Sequence, residues 1–323
     1  MQNVPTLAQL IDRGDALAIA ARLFNSSLLQ EDSAEDLQEA LEWAAIGGHP
    51  ECIKILIPLC SPKSHDSFAL RAAALNGHPA CLALLIPASD PQANDSSALC
   101  SAAENGHAEC VKLLLKCAPP KSKRSRALAL AAHHGRIECL HILAPVSDPK
   151  DRHSLALFEA ANMGHRECVE LLIPLSDLSA KQFHSLRWAA IRGHADCLGI
   201  LLEACPKSTS EFRAAAGEAF IQACIYGHAD CVEMLIGHAD PLRDDSEALR
   251  LAAEEGHAEC VKLLIPVSDP LIAREAASIA LANEHPEAAL VISQFMADHE
   301  ARLISDALTM PGAAIGRQSA PRL

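Results

Sequence analysis

The residues of this chain that could do chemistry are a histidine and a cysteine three positions apart, repeated. His49–Cys52 is the first pair, followed by His78–Cys81, His107–Cys110, His165–Cys168, His194–Cys197, His228–Cys231 and His257–Cys260, while Arg136 stands ahead of Cys139. Imidazole beside thiol suits zinc ligation or a thiol nucleophile with its base. The pattern speaks against both. Zinc needs four converging ligands, and each copy supplies at most one histidine beside one thiol. A nucleophile is a unique residue beside an oriented base, whereas this pair recurs. Disulfides along the ladder need Cα atoms within about 7 Å, but adjacent helices pack about 8–10 Å apart. The cysteines are therefore read as small buried packing residues. The histidines are read as residues that close a turn. No catalytic or metal-ligating residue is assigned, and no cofactor is expected.

Three other features invite a chemical reading. His133-His134 occupies variable positions and reads as exposed surface before it reads as a paired site. Pro119 to Arg126 is the only basic run, and reads as a solvated loop before a nucleic-acid patch. Trp43 and Trp188 share one slot and are expected at the core or on a groove wall.

What must position these residues is a repeat. Glycines at 48, 77, 106, 135, 164 and 193 are spaced by 29 residues, the step to Gly227 is 34, and the step to Gly256 is again 29. Around each recurs Ser-x-Ala-Leu-x-x-Ala-Ala-x-x-Gly-His-x-Glu-Cys-x-x-Leu-Leu-Ile-Pro-x-Ser-Asp-Pro. Two helices fit each copy. Helix A carries the Leu99, Ala102 and Ala103 stripe, with Ser96 as its expected N-cap and Ser67, Ser125, Ser154 and Ser246 in the same slot. Gly106 ends it as a left-handed residue. Helix B begins at once, with Pro50 or Pro79 at its first position and acidic residues such as Glu109 in its first turn. Cys110, Leu113 and Leu114 are its buried stripe. Pro58, Pro87, Pro145, Pro174 and Pro266 should stop it. One such unit cannot bury its apolar face alone, but stacked units can.

Composition agrees. Half of the 323 residues are apolar and only 3 % aromatic, which suits closely packed short helices. The formal charge of −14 argues against a nucleic-acid backbone or an anionic membrane as partner. No basic segment followed by an apolar stretch opens the chain, and no apolar run reaches the roughly 18 residues of a membrane span. Thirteen cysteines without a secretory signal fit a reducing compartment, so a cytoplasmic location is expected.

Ala102 to Leu114, reading Ala-Ala-x-x-Gly-His-x-Glu-x-x-x-Leu-Leu, resembles the middle of the ankyrin repeat, and the resemblance covers roughly residues 35–300. It implies an all-α, ankyrin-type α-solenoid of about 9–10 stacked helix–turn–helix repeats. Two departures matter. The family's Thr-Pro-Leu-His is reduced to forms such as Ser97-Ala98-Leu99-Cys100, and the upstream serine could substitute for it. The period is also four residues short of the family's, and the gap falls where ankyrins build a β-hairpin finger. Short loops are expected instead. The Ile-Pro-x-Ser-Asp-Pro variant is similar to arrays in proteobacterial proteins, some of them host-directed effectors.

The expected organisation is an N-terminal capping hairpin over 1–34, eight repeats over 35–272, a capping repeat over 273–309 and a disordered tail over 310–323. The five extra residues near 206–217 should form a bulged loop or a lengthened helix. The expected function is a non-catalytic scaffold, a monomer that binds another protein, with no nucleic acid, membrane or small-molecule substrate. The alternative is a host-directed bacterial effector that sequesters or targets a host protein. An enzyme would need a catalytic domain for which no non-repeat segment is long enough.

Comparing copies separates framework from free positions. The two residues after each Ala-Ala vary, and the resemblance implies that such helix-A ends line a concave groove. They include Leu75, Asn76, Glu104, His133, His134, Met163, Ile191, Arg192, Ile225, Tyr226 and Glu254, to which Phe158 and Arg187 are added from helix A. Leu75, Met163, Ile191, Ile225 and Tyr226 are large apolar residues expected to be exposed, the mark of an interaction site. Either these positions tolerate any residue, or a mixed apolar and basic patch at about 158–226 binds a partner, flanked by acidic Glu254-Glu255.

Overall fold

A computed structural model describes residues 7–29, 33–117, 119, 121–239 and 243–309. The 310–323 tail and the side chain of Ser246 lie outside the described residues. Every regular element among the described residues is helical, and none is a strand. Helix A spans Ala34–Gly47, Ser64–Leu75, Ala93–Asn105, Lys121–His133, Asp151–Asn162, Ala180–Ile191, Ser210–Ile225 and Arg243–Glu254 in the eight copies. Helix B spans Pro50–Leu56, Pro79–Leu85, Ala108–Leu115, Ile137–Leu143, Arg166–Leu172, Ala195–Ala204, Ala229–Ile236 and Ala258–Leu264. Leu7–Asp12 with Ala16–Leu29 precedes them, and Pro270–Ala282 with Pro286–Thr309 follows.

The described helices form two compact units, Met1–Ala189 with Asp196–Cys205, and Ala190–Ala195 with Pro206–Leu323. Within each unit, helix A packs on the helix A of the neighbouring copy and on its own helix B. This is the α-solenoid arrangement, with short loops in place of β-hairpin fingers. A helix B of seven residues, such as Arg166–Leu172, is too short to persist alone in water. It holds because Cys168, Val169 and Leu172 are buried against its neighbours. The helix-A pairs Ala44-Ala45, Ala73-Ala74 and Ala102-Ala103 are wholly buried, and their small side chains admit the next helix closely.

The Gly-His corner is the joint between copies. Gly48 adopts φ 73°, the left-handed conformation in which a Cβ is costly, and ends helix A. A second constraint acts on the same atom. A Cβ on Gly48 would lie 2.5 Å from His78 Nδ1, because the imidazole of the next copy rests on it. The other ring nitrogen, His78 Nε2, donates to the carbonyl of Ile46 at 2.9 Å. His107 bonds the Leu75 carbonyl, His165 that of His133, His228 that of Ile191 and His257 that of Ile225, at 2.8–3.0 Å. Arg136 takes the histidine's place and reaches the Glu104 carbonyl with its Nε at 3.0 Å. Glu284 holds the glycine's place in the last copy at φ 65°.

The turns between copies are built unexpectedly. His65, Asp66 and Ser67 all have φ between 50° and 58° and form one left-handed turn, closed by the Ser67 N–H donating to the Lys63 carbonyl. Arg152–Ser154 and Lys181–Phe183 repeat it, as do Asn94 and Ser96. Such residues cost about 1–2 kcal/mol each and persist only where surroundings over-determine them. The serine supplies part of that. Buried Ser67 Oγ accepts from the Asp90 N–H at 2.9 Å, and Ser125 and Ser154 do the same for Asp148 and Asp177. The expected cap is thus corrected: this serine ties its own turn to the next one. The prolines also act more gently than expected. Pro58, Pro145, Pro174 and Pro266 sit in 3-10 turns that extend helix B before the chain leaves it. The five extra residues make a lengthened helix, Ser210–Ile225, capped by Thr209 Oγ1, which accepts from the Phe212 N–H at 3.1 Å.

Gly48→Ala therefore meets both a disfavoured φ and the His78 ring, and should lower stability by about 2 kcal/mol or more. Gly237 has nothing within 4 Å of a built Cβ and a φ of −76°, so Gly237→Ala should change stability by less than about 0.5 kcal/mol. Urea unfolding of both variants checks this; equal losses would remove the corner's special role.

Candidate functional site

The free positions at the helix-A ends fall into separate groups. In the first unit, Leu75 and Asn76 line a cavity of 520 Å³ with Ile46, Phe68, Arg71, Ser97 and Ser101. Leu75 is 48 % exposed. The Arg71 guanidinium lies over the Phe68 ring at 5.5 Å, a cation–π contact. Phe68, Arg71 and Leu75 share a helix face because they are three and four residues apart. Phe68 and Arg71 did not emerge from the two variable positions alone; the same between-copy variability extends one and two turns earlier in helix A and marks them.

The second group joins three copies. His134 Nε2 lies 3.3 Å from Glu104 Oε1, and His133 Nδ1 lies 2.8 Å from Glu159 Oε2. The two imidazoles meet edge to face at 4.7 Å. Glu104, His133 and His134 are half-buried, and Glu159 completes the cluster. The arrangement is two adjacent carboxylate–imidazole pairs, of which His133–Glu159 is hydrogen-bonded. Among the described residues no three His, Cys, Asp or Glu side chains are placed to hold a metal ion.

The third group is aromatic. Phe158 stacks on His184 at 4.4 Å with the planes 4° apart, and Trp188 stands perpendicular to both, at 6.1 and 5.9 Å. Desolvation lowers the His184 pKa, and the nearby cations Lys181 and Arg187 lower it further, so its ring is neutral. Met163, in the same unit, is 42 % exposed.

In the second unit, Tyr226 is 54 % exposed and its ring lies 6.4 Å from that of His228. Arg192 and Glu254 are exposed. Ile191 and Ile225, expected to be exposed, are only half so. The patch expected over 158–226 is thus divided between the two units.

The cysteine ladder is buried along its length: Cys52, Cys81, Cys110, Cys139, Cys168, Cys197, Cys231 and Cys260 are each at most 2 % exposed, and all are free thiols. Desolvation pushes Cys81, Cys110, Cys139, Cys168, Cys197 and Cys260 up to about 11 and Cys231 to about 12. A thiol held protonated at neutral pH is neither a good nucleophile nor a ready ligand. Trp43 is half-exposed and donates through Nε1 to Glu39 at 3.1 Å. No helix among the described residues is long and apolar enough to cross a membrane.

The family model for ankyrin repeats in three copies matches residues 70–153, 128–212, 186–275 and 220–302. Among solved structures, the human ASB11 ankyrin repeat domain is similar, with 21 % identity and a TM-score of 0.53 over 62 % of this chain and 98 % of that one. No curated protein matches.

The buried ladder makes a kinetic prediction. In the native protein at pH 8, a maleimide read out by peptide mass spectrometry should leave the eight ladder thiols unlabelled. Labelling should rise only as pH approaches 11 or the chain unfolds. A ladder cysteine that labels at pH 8 as fast as free cysteine would overturn the packing role.

Proposed function

The chain belongs to the ankyrin repeat family, and from that membership we propose a non-catalytic scaffold that binds another protein through the groove face of its helix-A ends. Ankyrin repeats are generally non-catalytic interaction modules, and the shortened turns leave no hairpin fingers for a partner. The observation that carries the reading is the exposure of Leu75, Met163 and Tyr226. Other copies carry Glu104 or His133 in the slot of Leu75, and Asn105, His134 or Glu255 in the slot of Met163 and Tyr226, so the framework does not require these large apolar side chains. Exposed apolar side chains on an otherwise polar rim are the usual anchors of a protein interface. Arg71 beside Leu75 and Glu254 in the second unit supply the charged rim. The scaffold works as a cytoplasmic monomer, with capping hairpins at residues 1–34 and 273–309.

Leu75→Glu and Met163→Glu test the groove in the first unit, and Tyr226→Glu in the second. Each substitutes an exposed side chain, so circular dichroism and melting should match the parent. Capture of the protein's partners by affinity pull-down should fall at least about tenfold for one or more of the three, the effect of losing a central anchor. Unchanged capture by all three would move the interface off this face.

A further inference from the structure

A second surface has its own chemistry. We propose that the turns of the fourth to sixth copies form a basic ridge that docks an extended acidic segment of a protein partner. Lys121 and Arg126 flank the fourth turn, Lys150 and Arg152 the fifth, and Lys181 the sixth, and all five side chains are exposed. The serine ladder sets these turns side by side, because Ser125 Oγ accepts from the Asp148 N–H at 3.0 Å and Ser154 Oγ from the Asp177 N–H at 2.8 Å. The left-handed conformation of Arg152–Ser154 and Lys181–Phe183 carries Arg152 and Lys181 on the outward side of their turns and sends the third residue into the core.

The charges on this ridge are not balanced locally. Lys121 alone pairs with a carboxylate, Asp148 at 3.6 Å. Arg126, Lys150, Arg152 and Lys181 make no ion pair among the described residues. These turns hold three carboxylates, Asp148, Asp151 and Asp177, against the five cations; Asp148 Oδ1 also accepts from the Lys150 N–H and Asp177 Oδ1 from the Ser179 N–H. The second copy sets Lys63 against Asp66 and the third carries Asn94-Asp95, so among the turns of the first unit the net basic character belongs to copies four to six. It stands out on a chain of formal charge −14.

The spacing selects the occupant. Neighbouring copies are about 8–10 Å apart, the helix packing distance, and an extended chain advances about 3.3–3.6 Å per residue. Carboxylates at every third residue of an extended segment therefore meet successive turns. A nucleic acid is a continuous anionic polymer that would run on from the ridge along the preceding turns of the same unit, where Asp66 and Asp90 are exposed. A short acidic segment can stay within the ridge. The Phe158–His184–Trp188 cluster begins one residue after the Lys181–Phe183 turn and offers half-buried aromatic faces to an apolar side chain of the same segment.

The probe is a fluorescein-labelled oligoglutamate peptide, followed by anisotropy at low and physiological salt on the whole chain. Binding is expected, weakened steeply by salt, absent for the oligoglutamine counterpart, and accompanied by a change in tryptophan emission that Trp188→Phe removes. The quadruple variant Lys121→Glu, Lys150→Glu, Arg152→Glu, Lys181→Glu should lose at least about tenfold in affinity. The same four positions changed to Gln, as a control for folding, should also weaken it. Leu75→Glu, Met163→Glu and Tyr226→Glu should leave it unchanged, which separates the ridge from the groove. The proposal is overturned if oligoglutamate does not bind, if the reversed ridge binds it as well as the parent, or if single-stranded oligonucleotide or phosphatidylserine vesicles bind the ridge more tightly.

Discussion

The structure depends on a glycine α-carbon with an imidazole lying against it. The glycine is needed twice at once, for a left-handed φ and for the space that the next copy's ring occupies. The ring is held by its far nitrogen, which donates to a carbonyl two residues before the glycine. A nitrogen facing a carbonyl must carry the proton, so the tautomer is set by the bond. This one joint ends helix A, starts helix B and sets each copy on its neighbour. It also explains the one replacement. Arg136 has no ring, yet a guanidinium Nε on a long stem reaches the same carbonyl. What the position requires is a donor at the right reach, not imidazole chemistry. A set of recurring His and Cys residues that looks like repeated active sites is, in space, a joint and its packing partner.

The repeat, its two helices and most of its packing stripes were legible because each rests on a local rule: a 3.6-residue period, a glycine at a C-terminus, a proline at a first turn; in helix B, Val111 is buried with Cys110 and Leu114, and Leu113 is only half-buried. The absence of hairpin fingers followed from counting residues. The form of the replacement did not. A left-handed turn of Arg152, His153 and Ser154 contradicts the propensity of every residue in it. The turn exists because non-local contacts outweigh local preference. Its serine is buried and reaches a backbone N–H 23 residues further on. No local window contains both partners, so the serine reads as a cap from sequence and as a tie between turns from structure.

The candidate surface was legible to a similar depth. Variation between copies identified Leu75, Met163 and Tyr226, which are exposed, and it identified Glu104, His133 and His134, which meet. It gave Phe158 without the partners that matter to it, since His184 and Trp188 lie in the following copy. Ile191 and Ile225 are less exposed than Leu75, which holds the same slot, so place on helix A does not by itself fix exposure.

The corner residue, a histidine or Arg136 in its place, also shows how the array separates stability from recognition. It bonds the main-chain carbonyl two residues before the glycine, at Ile46, Leu75, Glu104, His133, Ile191 and Ile225. Those are variable positions. A backbone bond accepts any side chain, so apolar, acidic and imidazole groups all occupy the slot without loss to the joint. The variable residue is nonetheless fixed at its own carbonyl and at the end of a packed helix. A side chain held this way has little backbone entropy left to lose when a partner arrives, which favours affinity. Tolerance of any residue and readiness to bind are therefore not competing readings of these positions. The main-chain bond that permits the first also produces the second.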